Sequence, residues 1–283
     1  MTLKRSLLHI ILVLFLTLFI LSSEASALSV QVQPEEVHPG DVFILKLNSG
    51  GSAAAAAEFL NEPIEFQTAD SGMLIAVVPV DIKTAPKKYK IRITRGEENY
   101  SAEINVVPFA FRTIHLTVSE EKVTLSPESQ KRVDTEYALQ KKIWDRETPM
   151  AWNGQFTKPT GTEISTEYGV KRIFNKKRTS VHRGMDFRGK TGAPVKAVNS
   201  GTVVLSQDLF YGGNTLVVDH GMGLYSVYMH MSGFKVREGD KVIKEQVVGF
   251  VGSSGRATGP HLHLSVKLGG VSVNPESLFK LEL

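Results

Sequence analysis

The last third of the chain carries histidine and aspartate at spacings that could hold a metal ion. Gly259-Pro260-His261-Leu262-His263-Leu264-Ser265-Val266 opens on a Gly-Pro turn signal and then alternates. His261, His263, Ser265 and Lys267 fall on one side; Leu262, Leu264, Val266 and Leu268 fall on the other. Period two predicts a half-buried β-strand with its leucines in a core. Two imidazoles on one strand face stand roughly 6–7 Å apart along the chain. Both could ligate a metal, or one could ligate while the other moves a proton, or the strand could carry two surface histidines. Upstream, His182-Arg183-Gly184-Met185-Asp186 places a His and an Asp four apart, in a turn entering a strand. Leu224 to His230 reads as a strand ending in a histidine. Three ligands drawn from His and Asp, with a fourth position left to water, make a catalytic zinc site. Histidines beside such a site are its natural proton carriers. The chain has no cysteine, so thiolate ligands and disulfides are excluded.

The elements that must position these groups differ along the chain. Lys4 and Arg5, an apolar run from Leu7 to Leu21 and Ala25-Ser26-Ala27 form a secretory signal pattern, so 1–27 is expected to be a leader cleaved after Ala27. A retained membrane anchor is the alternative, since the run is only slightly short of the ~18 residues that suggest a spanning helix. Residues 28–108 read as short β-strands divided by turns such as Pro39-Gly40-Asp41 and Arg95-Gly96-Glu97, which predicts an immunoglobulin-like β-sandwich. Residues 109–150 form a connector. Ser126-Pro127-Glu128 supplies a hydroxyl cap, a proline at the first helical position and an acid in the first turn. Val133, Tyr137, Leu139, Ile143 and Trp144 then form a partial stripe, predicting one helix of about 18 residues packed on one or both domains. From 151 to 283 the chain is rich in glycine and short apolar runs, and reads as an all-β domain without helix. Its strands are expected at Val195–Val198, Gly201–Ser206, Asn214–Asp219, Leu224–His230, Val247–Val251 and His261–Leu268. The fold class is therefore mainly β.

The ordered set His182-x3-Asp186, Tyr228-Met229-His230 and Gly259-Pro260-His261-Leu262-His263 resembles the signature of the lysostaphin/LytM-type zinc endopeptidases, which cut peptidoglycan peptides. Tyr168-Gly169, Gly192 to Val198, Asn214 to Gly221, Val248 to Gly252 and Asn274-Pro275 agree with it, over about 155–280. The resemblance implies a C-terminal LytM-type domain (a duplicated hybrid motif) holding one zinc ion on His182, Asp186 and His263. It also implies that His230 and His261 flank the metal-bound water and the scissile carbonyl, with His261 favoured as the base. Met222 stands where the family commonly has Asn, and Glu245 where it often has Gly. LytM-type proteins that lack ligands act as regulators of other wall hydrolases; here every ligand position is filled.

The remaining expectations concern context. Segment 171–190 holds eight basic residues and one acid, Asp186, and is either a solvated loop or a rim for an anionic wall polymer. The net charge of +4 and the absence of basic runs interleaved with aromatics argue against nucleic acid. His38, His115 and His220 are expected to be structural or solvated. The connector is a candidate shield over the zinc cleft. The chain is expected to be exported, periplasmic or secreted, free of the membrane once its leader is cut, and monomeric.

Overall fold

The computed structural model describes residues 28–48, 55–69, 72–117, 125–146, 148–176 and 178–282. The expected leader, 1–27, lies outside them. The N-terminal half contains two sheets. One has the order Ser29–Gln33, Val42–Asn48, Leu74–Pro79, Gln67–Thr68; the other has the order Glu36–Val37, Glu98–Val106, Lys87–Arg95, Ala55–Phe59, Glu62–Ile64. Phe43, Leu45, Leu47 and Val78 from the first sheet meet Phe59, Ile91, Ile93 and Ile104 from the second in one buried cluster. Lys87–Arg95 shows why: Ile91 and Ile93 are buried while Lys90 and Arg92 between and beside them face water. Val42–Asn48 departs from alternation because it is covered on both faces. Its odd-numbered residues enter that sandwich core, while Val42 and Ile44 join the core of the C-terminal half.

The C-terminal half is built on a sheet running Ile164–Thr166, Met185–Arg188, His261–Leu268, Leu224–Phe234, Gly213–Asp219, Gly201–Leu209, Lys241–Val242. The expected strands Val247–Val251 and His261–Leu268 have the predicted limits, and Gly201–Leu209 runs three residues past its expected end. Two expectations are corrected here. The strand expected to end at His230 continues from Leu224 to Phe234. The C-terminal half also contains a helix, α2 (Pro275–Lys280), whose Asn274 side chain accepts from the Glu276 N–H at 3.1 Å. Six residues are too few for a 3.6 period to show, but Asn274-Pro275 is a cap followed by proline at the first helical position. The same Asn274 ties the halves together: its N–H donates to the Gly40 carbonyl at 2.7 Å and its Nδ2 to Asp41 at 2.9 Å.

The connector helix α1 (Pro127–Trp144) starts where the cap signals place it, with Ser126 accepting from the Ser129 N–H. It packs on the C-terminal sheet. Ile143 is buried among Leu205, Val217 and Tyr225, and Arg132 reaches Asp208 at 2.9 Å. Tyr137, part of the expected stripe, is instead 60% exposed. The connector also contributes what its sequence did not show, a strand at Thr113–Leu116 paired in parallel with Lys171–Phe174. Among the described residues no helix is long and apolar enough to cross a membrane.

Met222 (φ +55°) and Glu245 (φ +66°) both sit in the left-handed region, which asparagine and glycine occupy at least cost.

Candidate metal centre

Burial of Leu262 and Leu264 turns His261 and His263 to the opposite face of their strand. That strand pairs antiparallel with Met185–Arg188, which sets Asp186 opposite His263. His182 enters from the turn just before. The structure thus brings all five expected residues together. His182 Nε2 lies 3.1 Å from Asp186 Oδ1 and 3.0 Å from His263 Nδ1, and the latter lies 2.7 Å from the same carboxylate oxygen. His182, Asp186 and His263 form a group able to hold a metal ion.

His182 Nδ1 faces the Glu167 carbonyl at 2.8 Å, and a carbonyl can only accept, so a ring proton sits on Nδ1 and Nε2 is turned to the carboxylate. His263 Nδ1 faces the same carboxylate oxygen, and its Nε2 lies 2.8 Å from Ser265 Oγ, a hydroxyl that can donate or accept. Two imidazole nitrogens and one carboxylate oxygen converging in a buried site are the donor set of a zinc centre with one position left open. Ligand atoms about 2.0–2.1 Å from a tetrahedral zinc stand ~3.4 Å apart, so the triangle, with edges of 2.7, 3.0 and 3.1 Å, would open by a few tenths of an ångström to hold one. Burial alone would raise the Asp186 carboxyl, but hydrogen bonds from His182 and His263 hold it far below the usual carboxylate range. Burial likewise holds His263 below the ordinary histidine value, against the pull of Asp186.

His261 and His230 complete the pocket. His261 donates Nδ1–H to the Gly259 carbonyl at 2.8 Å, leaving Nε2 bare and 3.8 Å from Asp186 Oδ1. His230 lies at φ +64°, where the strand register slips against its neighbour. Such a bulge re-aims one side chain without ending the strand, which is why the strand runs on to Phe234. The His230 Nδ1–H goes to the Ser254 carbonyl at 2.9 Å, and the ring stands 4.7 Å from that of His261. Burial pushes His230 down to about 4, so it is neutral at neutral pH.

His220 is structural. It is fully buried, with Nδ1 donating to the Ser200 carbonyl and Nε2 facing Ser226 Oγ. Several contributors escaped sequence reasoning. Ser265 lies on the histidine face two residues beyond His263, a position that the alternation itself marks. Arg172 was hidden in the basic run, yet its Nη2 is 3.4 Å from Asp186 Oδ2. Gly184 had no signal beyond being glycine. A Cβ there would collide with the Leu264 carbonyl and stand 2.6 Å from His263 Nε2. Gly184→Ala is therefore expected to displace the His263 ring and weaken metal binding about tenfold or more, measured by chelator competition.

Residues 180–275 match peptidase family M23. The crystal structure of a putative peptidase M23 from Pseudomonas aeruginosa is 30% identical, with a TM-score of 0.65, covering 85% of this chain and 94% of that one. The peptidoglycan DD-endopeptidase ShyA of Vibrio cholerae is 38% identical over 112 residues, which is 39% of this chain and 26% of ShyA. Lysostaphin of Staphylococcus staphylolyticus is 41% identical over 85 residues, 29% of this chain and 18% of lysostaphin. The match thus spans well under two thirds of these curated relatives.

Proposed function

Because the chain belongs to peptidase family M23, we propose that it is an exported, monomeric zinc endopeptidase that hydrolyses peptide bonds in peptidoglycan stem or cross-bridge peptides. The observation that carries this reading is the convergence of His182 Nε2, His263 Nδ1 and Asp186 Oδ1 at 2.7 to 3.1 Å from one another in a buried site. His182, Asp186 and His263 would hold one zinc ion. When bound, it supplies a Lewis acid for the scissile carbonyl and lowers the pKa of a water to about 7.

The protein's own groups do the rest. His261, its Nδ1–H anchored on Gly259, presents a bare Nε2 beside the ligand cluster and takes the proton of the attacking water. His230, neutral and anchored on Ser254, stands beside His261 and can relay the proton taken from the water to the leaving amine. Lys171, Lys176 and Lys190, exposed in the segment that also carries His182 and Asp186, add positive charge suited to an anionic wall polymer.

The test is metal analysis of the mature chain together with peptide release from purified cell walls. About one zinc per chain is expected, with cut peptides that disappear on chelation and return with zinc. A chain that binds no metal would overturn the site. A chain that binds zinc but cuts no wall type would instead be shielded by its connector or act as a LytM-type regulator of other hydrolases.

A further inference from the structure

The stretch Glu167–Arg172 touches the metal-ligand residues through four contacts. Its Glu167 carbonyl accepts the Nδ1–H of His182 at 2.8 Å. Gly169 N–H donates to the His182 carbonyl, and His182 N–H donates to the Val170 carbonyl, at 2.8 and 2.9 Å. Its last residue, Arg172, sends Nη2 toward Asp186 Oδ2, the carboxylate oxygen outside the ligand triangle. The side chains are 29% and 9% exposed, so the contact is only partly screened by water.

The opposite edge of the same stretch is held by the connector. Lys171 N–H donates to the Arg112 carbonyl at 2.9 Å, and Thr113–Leu116 continues the pairing in parallel along Lys171–Phe174. Arg112 also reaches Glu167 at 3.2 Å. The Phe111 ring lies directly on Gly169, where any side chain would collide with it. Phe111 packs edge-on against Phe109 at 4.9 Å, and Phe109 packs on His38 of the N-terminal half at 4.8 Å. Tyr168 rests on Gly40 and donates its hydroxyl to Ser272 at 2.8 Å.

We propose that Glu167–Arg172 is a strap through which the N-terminal half sets how tightly the metal is held, with Arg172 the positioning residue that fixes Asp186. Occupying Oδ2 leaves only Oδ1 to face His182 and His263, and outer partners of this kind govern ligand orientation. The proposal rests on His182, Asp186 and His263 being the metal ligands. It also means that removing everything before Ala151 takes a strand from the sheet beside His182, not merely a cover.

The sign of one substitution separates positioning from plain electrostatics. Deleting a positive charge near a cation site should tighten metal binding if charge alone matters. If Arg172 positions Asp186, Arg172→Gln weakens zinc about tenfold, with partial recovery in Arg172→Lys, which keeps the charge but not the planar fork. Zinc dissociation constants of the mature chain would be measured by competition with a chelating dye, beside melting curves of the zinc-free proteins. Arg188→Gln serves as the control, since that side chain is 69% exposed and sits in the same basic segment. Phe111→Leu probes the connector edge, and a severalfold weakening with an intact melting curve is expected. Unchanged or tighter binding in Arg172→Gln, or equal weakening in Arg188→Gln, would overturn the positioning role. Unchanged zinc affinity in Phe111→Leu would overturn the link to the N-terminal half. A wild type that binds no zinc would instead remove the ligand assignment beneath both.

Discussion

His263→Ala is expected to lose metal and activity together, whereas His261→Ala keeps its metal and loses activity about 10²–10⁴-fold. The two residues share one strand face, yet their surroundings separate them. His263 Nδ1 forms two edges of the ligand triangle, at 2.7 and 3.0 Å. Its removal leaves a neutral imidazole and a carboxylate, too few groups to retain zinc at ordinary concentrations. His261 Nε2 stands off at 3.8 Å from Asp186 Oδ1, so its loss leaves that triangle whole. Neither change touches the buried leucine face, so both variants should fold. Metal content and peptide release, measured on the same preparations, check the pair. Zinc loss in His261→Ala would make it a ligand, and full activity with zinc retained would pass the base role to His230.

How far the sequence announces this arrangement depends on the range over which each signal acts. The strand His261–Leu268 was legible because period two is local and its apolar face is fully buried. The start of α1 was legible because Ser126, Pro127 and Glu128 each satisfy a requirement of a helix N-terminus. Thr113–Leu116 was not, because a short parallel strand takes its identity from a partner far along the chain. Arg172 escaped for a related reason. Among so many basic neighbours its type carried no information, and only the fold selects the one that reaches Asp186. The bulge at His230 was hidden because a positive φ at histidine leaves no mark in the sequence.

His220 should make the fold itself acid-sensitive. It sits at the end of a buried chain of hydrogen bonds: the Tyr228 hydroxyl accepts from Val198 N–H at 2.9 Å and from Ser226 Oγ at 3.1 Å, Ser226 Oγ faces His220 Nε2 at 2.8 Å, and His220 Nδ1–H donates to the Ser200 carbonyl at 2.7 Å. Neither the Ser200 carbonyl nor the Ser226 hydroxyl carries a charge to balance a protonated ring, and the edge-on Phe156 ring at 5.4 Å offers a proton nothing. Burial pushes His220 down to about 4 from an ordinary 6.5. The unfolded chain therefore takes up a proton between those values while the folded chain does not. The stability linked to this residue is fully present above pH 6.5 and is lost as the pH falls toward 4, by about 3 kcal/mol in all. His230 and His263 are also depressed, so the zinc-free protein should weaken in the same direction through them. The share of His220 is isolated by comparing zinc-free wild type with His220→Gln in urea melts from pH 7.5 to 4.5. The variant starts less stable, but its stability should fall with a slope smaller by up to one proton. Parallel curves would mean that His220 titrates alike in both states, and the neutral hydrogen-bond chain would have to be abandoned.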